Sequence, residues 1–94
     1  AVMGDGPVDA TFKAIKKLTG MKPYLVNYSV GYFTGGTVAL GECTVRLEHA
    51  GHEVLGQGSH SDIIVASAKA YINGLNRLEY LNAHPVKASQ TLSV

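Results

Sequence analysis

A single cysteine, Cys43, stands among 94 residues, so no internal disulfide can form. The lack of a disulfide framework fits a reducing compartment, and a cytoplasmic protein is expected. The chain also lacks an excess of either charge. Eight Lys and Arg against seven Asp and Glu leave a net +1. Lys13, Lys16 and Lys17 gather on one short helical segment and read as a solvated face rather than a basic stripe, so no nucleic-acid partner is expected. No apolar run approaches the roughly 18 residues of a membrane-spanning helix. Nor does a charged stretch lead into an apolar one at the N-terminus, so neither a membrane partner nor a signal peptide is expected.

Signatures of catalysis are equally sparse. Gly4-Asp5-Gly6 lacks the third glycine of a dinucleotide fingerprint and the lysine of a phosphate loop. Ser59, His60, Ser61 and Asp62 crowd together, but triad members usually come from separate segments. His49 and His52 flank a turn that His60 could approach, and His84 follows later. A metal needs three or four converging, supported ligands, and the four histidines read as surface residues. Cys43 has apolar neighbours and no basic or helix-start context, so it reads as a small buried hydrophobe. No catalytic residue, metal site or cofactor is expected in this segment.

What the chain does have is two helix starts. Gly4-Asp5-Gly6-Pro7-Val8-Asp9 and Ser61-Asp62-Ile63-Ile64 each place flexible or capping residues before an apolar periodic run. Such starts present free backbone N–H groups and the positive end of the helix dipole, which suits a carboxylate or phosphate. A short chain with two of them can clasp a small zwitterion, provided they converge.

Residues 8–18 have helical spacing, with Val8, Phe12, Ile15 and Leu18 on one stripe, Pro7 tolerated in the first turn and Gly20 as the stop. Residues 23–33 switch to a period of two, which puts Tyr24, Val26, Tyr28, Val30 and Tyr32 on one face. After a turn at 34–37, residues 38–49 alternate Ala39, Gly41, Cys43, Val45 and Leu47 against Glu42, Thr44, Arg46 and Glu48. Ala50-Gly51 makes a tight turn into a weaker strand over 52–58. Residues 62–81 form a second helix capped by Ser61 or Asp62, its stripe being Ile64, Ala68, Tyr71, Leu75 and Leu78. Gly74 costs this helix roughly 1 kcal/mol, and close packing is the usual return. The expectation is an α+β fold. A three-stranded antiparallel meander carries two helices on one face, in the order helix-strand-strand-strand-helix. One domain spans 1–81, and 82–94 reads as a mobile tail. Ala1-Val2-Met3 looks like the end of a strand that begins upstream, as in a piece of a longer protein.

Taken together, Gly-Asp-Gly-Pro-Val-Asp-Ala, a helix, three strands and then Ser-Asp-Ile-Ile-Val-Ala-Ser-Ala-Lys-Ala-Tyr-Ile-Asn-Gly-Leu-Asn-Arg-Leu are far more specific. From residue 3 to about 81 the chain resembles the C-terminal allosteric domain of alpha-isopropylmalate synthase, which the related citramalate synthases share. That resemblance implies a duplicated βββα regulatory domain that binds leucine and pairs with its counterpart in a homodimer. It implies a parent whose catalytic TIM barrel uses a divalent metal to condense acetyl-CoA with 2-oxoisovalerate. It also implies site residues here. Gly4, Asp5, Gly6 and Pro7 match the turn at the ligand, and Asp5 is a candidate for its ammonium group. The start of either helix, including Asp62, would receive the carboxylate. Val8, Leu25, Tyr28 and Ile63 would enclose the isobutyl group. The competing expectations are an isoleucine-sensing domain of a citramalate synthase, a purely structural dimerisation module, and a small enzyme built on Ser59–Asp62.

Overall fold

The computed structural model describes residues 6–35 and 38–83. The order is α1 (Pro7–Thr19), β1 (Tyr24–Gly35), β2 (Val38–His49), β3 (His52–His60) and α2 (Ile63–Ala83). The strands form one antiparallel sheet in the order β1-β2-β3, so the expected α+β class and element order hold. The first residues, the turn at Gly36-Thr37 and the tail from His84 onward lie outside the described residues.

Local chemistry explains each boundary. Pro7 opens α1 where its missing N–H costs nothing, and Gly20 closes it in the left-handed region at φ 77°, its N–H donating to the Lys16 carbonyl. Ala50 and Gly51 both have positive φ, 52° and 85°, which matches the mirror-image turn that a two-residue hairpin requires. At α2, Asp62 is the cap: its Oδ1 accepts the Ile64 N–H at 2.8 Å.

The core lies between the sheet and α2. Cys43, Val45 and Leu47 point inward from β2 and are fully buried, while Arg46 and Glu48 face solvent, as the alternation predicts. α2 crosses β3 at very short range. A Cβ at Gly58 would come within 2.6 Å of the Ala66 carbonyl oxygen and the Ala70 nitrogen, and one at Gly74 within 2.7 Å of Leu47 Cδ1. The close packing expected of Gly74 is therefore present. Ala66, Ser67, Ala70 and Gly74 widen the buried face of α2 beyond the expected stripe. The contact is made by this small-residue strip, which leaves Ile64 at the margin and exposed. α1 lies alongside α2 on the same side of the sheet, with the Phe12 ring stacked on Tyr71 at 4.4 Å and edge-on to Tyr28 at 5.9 Å.

Two further expectations are corrected. Leu18 is 85% exposed, because α1 is seated through Phe12 and Ile15 and its last turn has nothing opposite it among the described residues. The uniform tyrosine face of β1 is broken by a bulge. Leu25 pairs with Leu47 and Asn27 with Arg46, so Val26 is an extra residue. Directly opposed residues share a face. The bulge therefore turns Leu25 inward with Tyr28 and Val30, and leaves Tyr24 and Val26 in solvent. Tyr32 keeps the inward phase but is 70% exposed, since α2 covers β2 and β3 rather than that end of β1.

Candidate functional site

Gly6 is the exposed N-cap of α1, and α1 has no side-chain cap. The Ala10 N–H closes the first turn on the Gly6 carbonyl, and Pro7 has no N–H to offer. The amides of Val8 and Asp9 are therefore left as open donors among the described residues. At α2, Asp62 occupies the Ile64 N–H, and the Ala66 N–H bonds the Asp62 carbonyl. This leaves the Ile63 and Val65 amides open in the same sense. The Asp62 N–H in turn donates to His60 Nδ1 at 2.9 Å. Within the Ser59–Asp62 cluster, His60 and Asp62 are thus engaged in the entry turn of α2, His60 by the Asp62 amide and the Asp62 carboxylate by the Ile64 amide.

The four apolar residues expected at the site, Val8, Leu25, Tyr28 and Ile63, are all half-buried and all pack on the same core. Leu25 is among them only because the β1 bulge turns it inward, and it sits opposite Leu47, roughly 20 Å along β2 from Gly41, where Ile63 packs, so the sheet does not bring Leu25 and Ile63 together. Tyr28 and Ile63 are joined by a polar chain that runs through the core wall. The Tyr28 hydroxyl lies 2.7 Å from Ser67 Oγ, Ser67 Oγ lies 3.2 Å from Cys43 Sγ, and Cys43 Sγ reaches toward the Ile63 carbonyl at 4.0 Å. Desolvation raises the Tyr28 hydroxyl above its ordinary value of 10.0, the bond from Ser67 opposes that shift, and Cys43 adds to it. Tyr28 is therefore a neutral hydrogen-bonding group throughout the physiological range.

Sequence reasoning missed Ser67, which joins the helix to the sheet. Its only signal was a serine one turn beyond Ile63, among alanines on an otherwise apolar face. Cys43 is the buried small residue expected, with a hydrogen-bonding role that its sequence neighbours did not reveal. Gly4 and Asp5 lie outside the described residues, and Pro7 is exposed in the first turn of α1.

The histidines are separated. His49 pairs with His52 across the turn, while His60 pairs with Gly41 at the far end of β3. His60 thus cannot approach the other two, since nearly the whole strand lies between them. Among the described residues no three metal-ligating side chains converge, and no helix is long and apolar enough to cross a membrane. An open groove of about 530 Å³ lies elsewhere, between β3 and the C-terminal half of α2, and includes none of the expected site residues.

A family model described as the LeuA allosteric (dimerisation) domain matches residues 1–79. The 2-isopropylmalate synthase of Syntrophus aciditrophicus is 57% identical over 81 residues, covering 86% of this chain and 16% of that protein. The 2-isopropylmalate synthase of Hydrogenovibrio crunogenus is 60% identical over 75 residues, covering 80% and 15%. That of Picosynechococcus sp. is 47% identical over 94 residues, covering 95% and 18%. The chain therefore spans less than a fifth of the length of the curated relatives it matches. With nearly the whole described fold inside the matched span, the chain belongs to the LeuA allosteric (dimerisation) domain family.

Proposed function

We propose that this chain is the effector-sensing and dimer-forming module of a 2-isopropylmalate synthase, and that it binds leucine between the starts of α1 and α2. The observation that carries this reading is the family match over residues 1–79, joined to relatives that are all 2-isopropylmalate synthases by name. The local geometry supports it. Two helix starts have open amides, and Val8, Tyr28 and Ile63 are half-buried on the shared core, with Tyr28 tied to Ile63 through Ser67 and Cys43.

In this account the ligand carboxylate takes the open amides, and Asp5 with nearby carbonyls takes the ammonium group. Gly4, Gly6 and Pro7 bring the backbone close. Burying the isobutyl group supplies roughly 1.5–3 kcal/mol. Inhibition is linkage: leucine prefers the inactive arrangement of the parent, so binding here shifts the whole enzyme toward it. Condensation of acetyl-CoA with 2-oxoisovalerate, and the divalent metal that it uses, belong to a catalytic barrel outside this chain. No residue here is assigned to that metal.

Calorimetry on the full-length synthase with leucine, isoleucine and valine tests this. Leucine should give the largest heat, and Ile63→Ala should weaken it with little effect on the uninhibited rate. Tighter binding of isoleucine would instead favour a citramalate synthase parent. A second reading, a purely structural dimerisation module, is favoured by two sheet edges left unpaired among the described residues and by exposed Leu18, Tyr24 and Tyr32. It predicts a dimer with no heat from any of the three amino acids.

A further inference from the structure

The free edge of β3 has a definite phase. Ala50-Gly51 makes His49 and His52 the closing pair of the hairpin. By alternation, the backbone groups of His52, Val54 and Gly56 turn toward β2, and those of Glu53, Leu55 and Gln57 turn outward. The Gln57 N–H agrees with this phase, since it donates to Asn73 Oδ1 on α2 at 3.0 Å. The outward groups of Glu53 and Leu55 make no backbone hydrogen bond among the described residues.

Beside this edge α2 presents Asn73, Asn76, Arg77 and Tyr80, spaced so that they share one helix face. With Val54 and Leu55 they line the open groove of about 530 Å³. Its charges are unequal. Glu53 is paired with Arg46 at 3.1 Å, whereas Arg77 makes no ion pair among the described residues. Among the described residues, the groove thus combines an apolar floor, strand backbone without a hydrogen-bonding partner and one guanidinium without an ion pair.

We propose that this groove docks an extended acidic segment of a different polypeptide as a fourth strand on β3, with a carboxylate side chain of that segment on Arg77. The proposal stands apart from the effector site, with which it shares no residue. Backbone pairing supplies affinity, and every second side chain of the added strand faces α2, where an arginine fork holds a carboxylate through two parallel bonds. Asn73 sets the limit of pairing because it already holds the Gln57 N–H. The guest therefore runs from Leu55 toward the Ala50-Gly51 turn. A second copy of this chain does not suit the groove. The helix-covered residues of its edge strands are Val54, Gly56 and Gly58 on β3, and Leu25, Tyr28 and Val30 on β1, none of them acidic.

Amide-resolved NMR of the full chain tests this with two short blocked peptides of alternating threonine and valine, one with a central glutamate and one with glutamine. The glutamate peptide should shift the Glu53 and Leu55 amides and bind about tenfold more tightly than the glutamine peptide. Arg77→Gln, an exposed change that should leave the melting temperature unaltered, should abolish that difference. Three results would overturn the proposal: equal binding of the two peptides, no shift at these amides at millimolar peptide, or the same shifts on raising protein concentration alone. The last would make the edge an interface between copies.

Discussion

Tyr71 is fully buried, stacked on Phe12, and its hydroxyl has no hydrogen-bond partner among the described residues. Burying a hydroxyl without a partner costs about 1–3 kcal/mol, so Tyr71→Phe should be neutral or stabilising by up to about 1 kcal/mol in urea unfolding at neutral pH. Burial also pushes this hydroxyl from 10.0 up to about 12. An acid with a raised value holds its proton more tightly when folded. Its contribution to stability is complete below pH 10 and is lost as pH climbs through about 12. Unfolding midpoints should therefore fall across that window, and Tyr71→Phe should blunt the fall. Tyr28 shifts in the same direction and accounts for part of what remains. Ser67→Ala removes the hydroxyl that bonds both Tyr28 and Cys43, leaving only their direct contact at 3.9 Å, and should cost about 1 kcal/mol in the same assay. At Gly56 a Cβ would run into the α2 backbone at Ala70 and Gly74. Gly56→Ala should cost about 3 kcal/mol or more, because a backbone contact cannot relax as a side chain does. A variant of unchanged melting temperature would show that α2 sits farther from β3.

At the scale of elements, the helices depend on their ends. Asp62→Ala removes the α2 cap and should cost about 1 kcal/mol in thermal unfolding, whereas Ser61→Ala, at the neighbouring position, should cost much less. Periodicity made these elements legible, since glycine stops, the Ala50-Gly51 turn and the strict alternation of β2 are local signals. What stayed hidden was tertiary. The bulge at Val26 depends on which side chain fits beneath α1 and α2, and nothing between Tyr24 and Tyr28 announces it. The exposure of Leu18 and Ile64 likewise depends on where one helix meets its neighbour. The site was partly legible for the same reason. Among the residues expected at the site, Asp62, Val8, Tyr28 and Ile63 follow from helix starts and strand phase, but Leu25 turns inward only through the bulge, and Ser67 meets Tyr28 through a contact 39 residues away in sequence.

The whole molecule presents apolar surface that a small domain would normally bury. Tyr24 and Tyr32 on the sheet and Leu18 on α1 are each more than half exposed, and β1 and β3 are the edge strands among the described residues. Sedimentation of the parent synthase should give a dimer, and replacing Tyr24 and Leu18 together by serine should raise its dissociation constant by about tenfold or more without lowering the domain's melting temperature. The proposed effector site is a narrower matter than dimerisation: the open amides at the starts of α1 and α2 would hold one small zwitterion against Val8, Tyr28 and Ile63. Its most direct test is an amide-resolved leucine titration of this domain within the intact dimer. Leucine should give saturable shifts at Val8, Asp9, Ile63 and Val65, with the groove at β3 silent. Saturable leucine binding that leaves all four amides unmoved would contradict it.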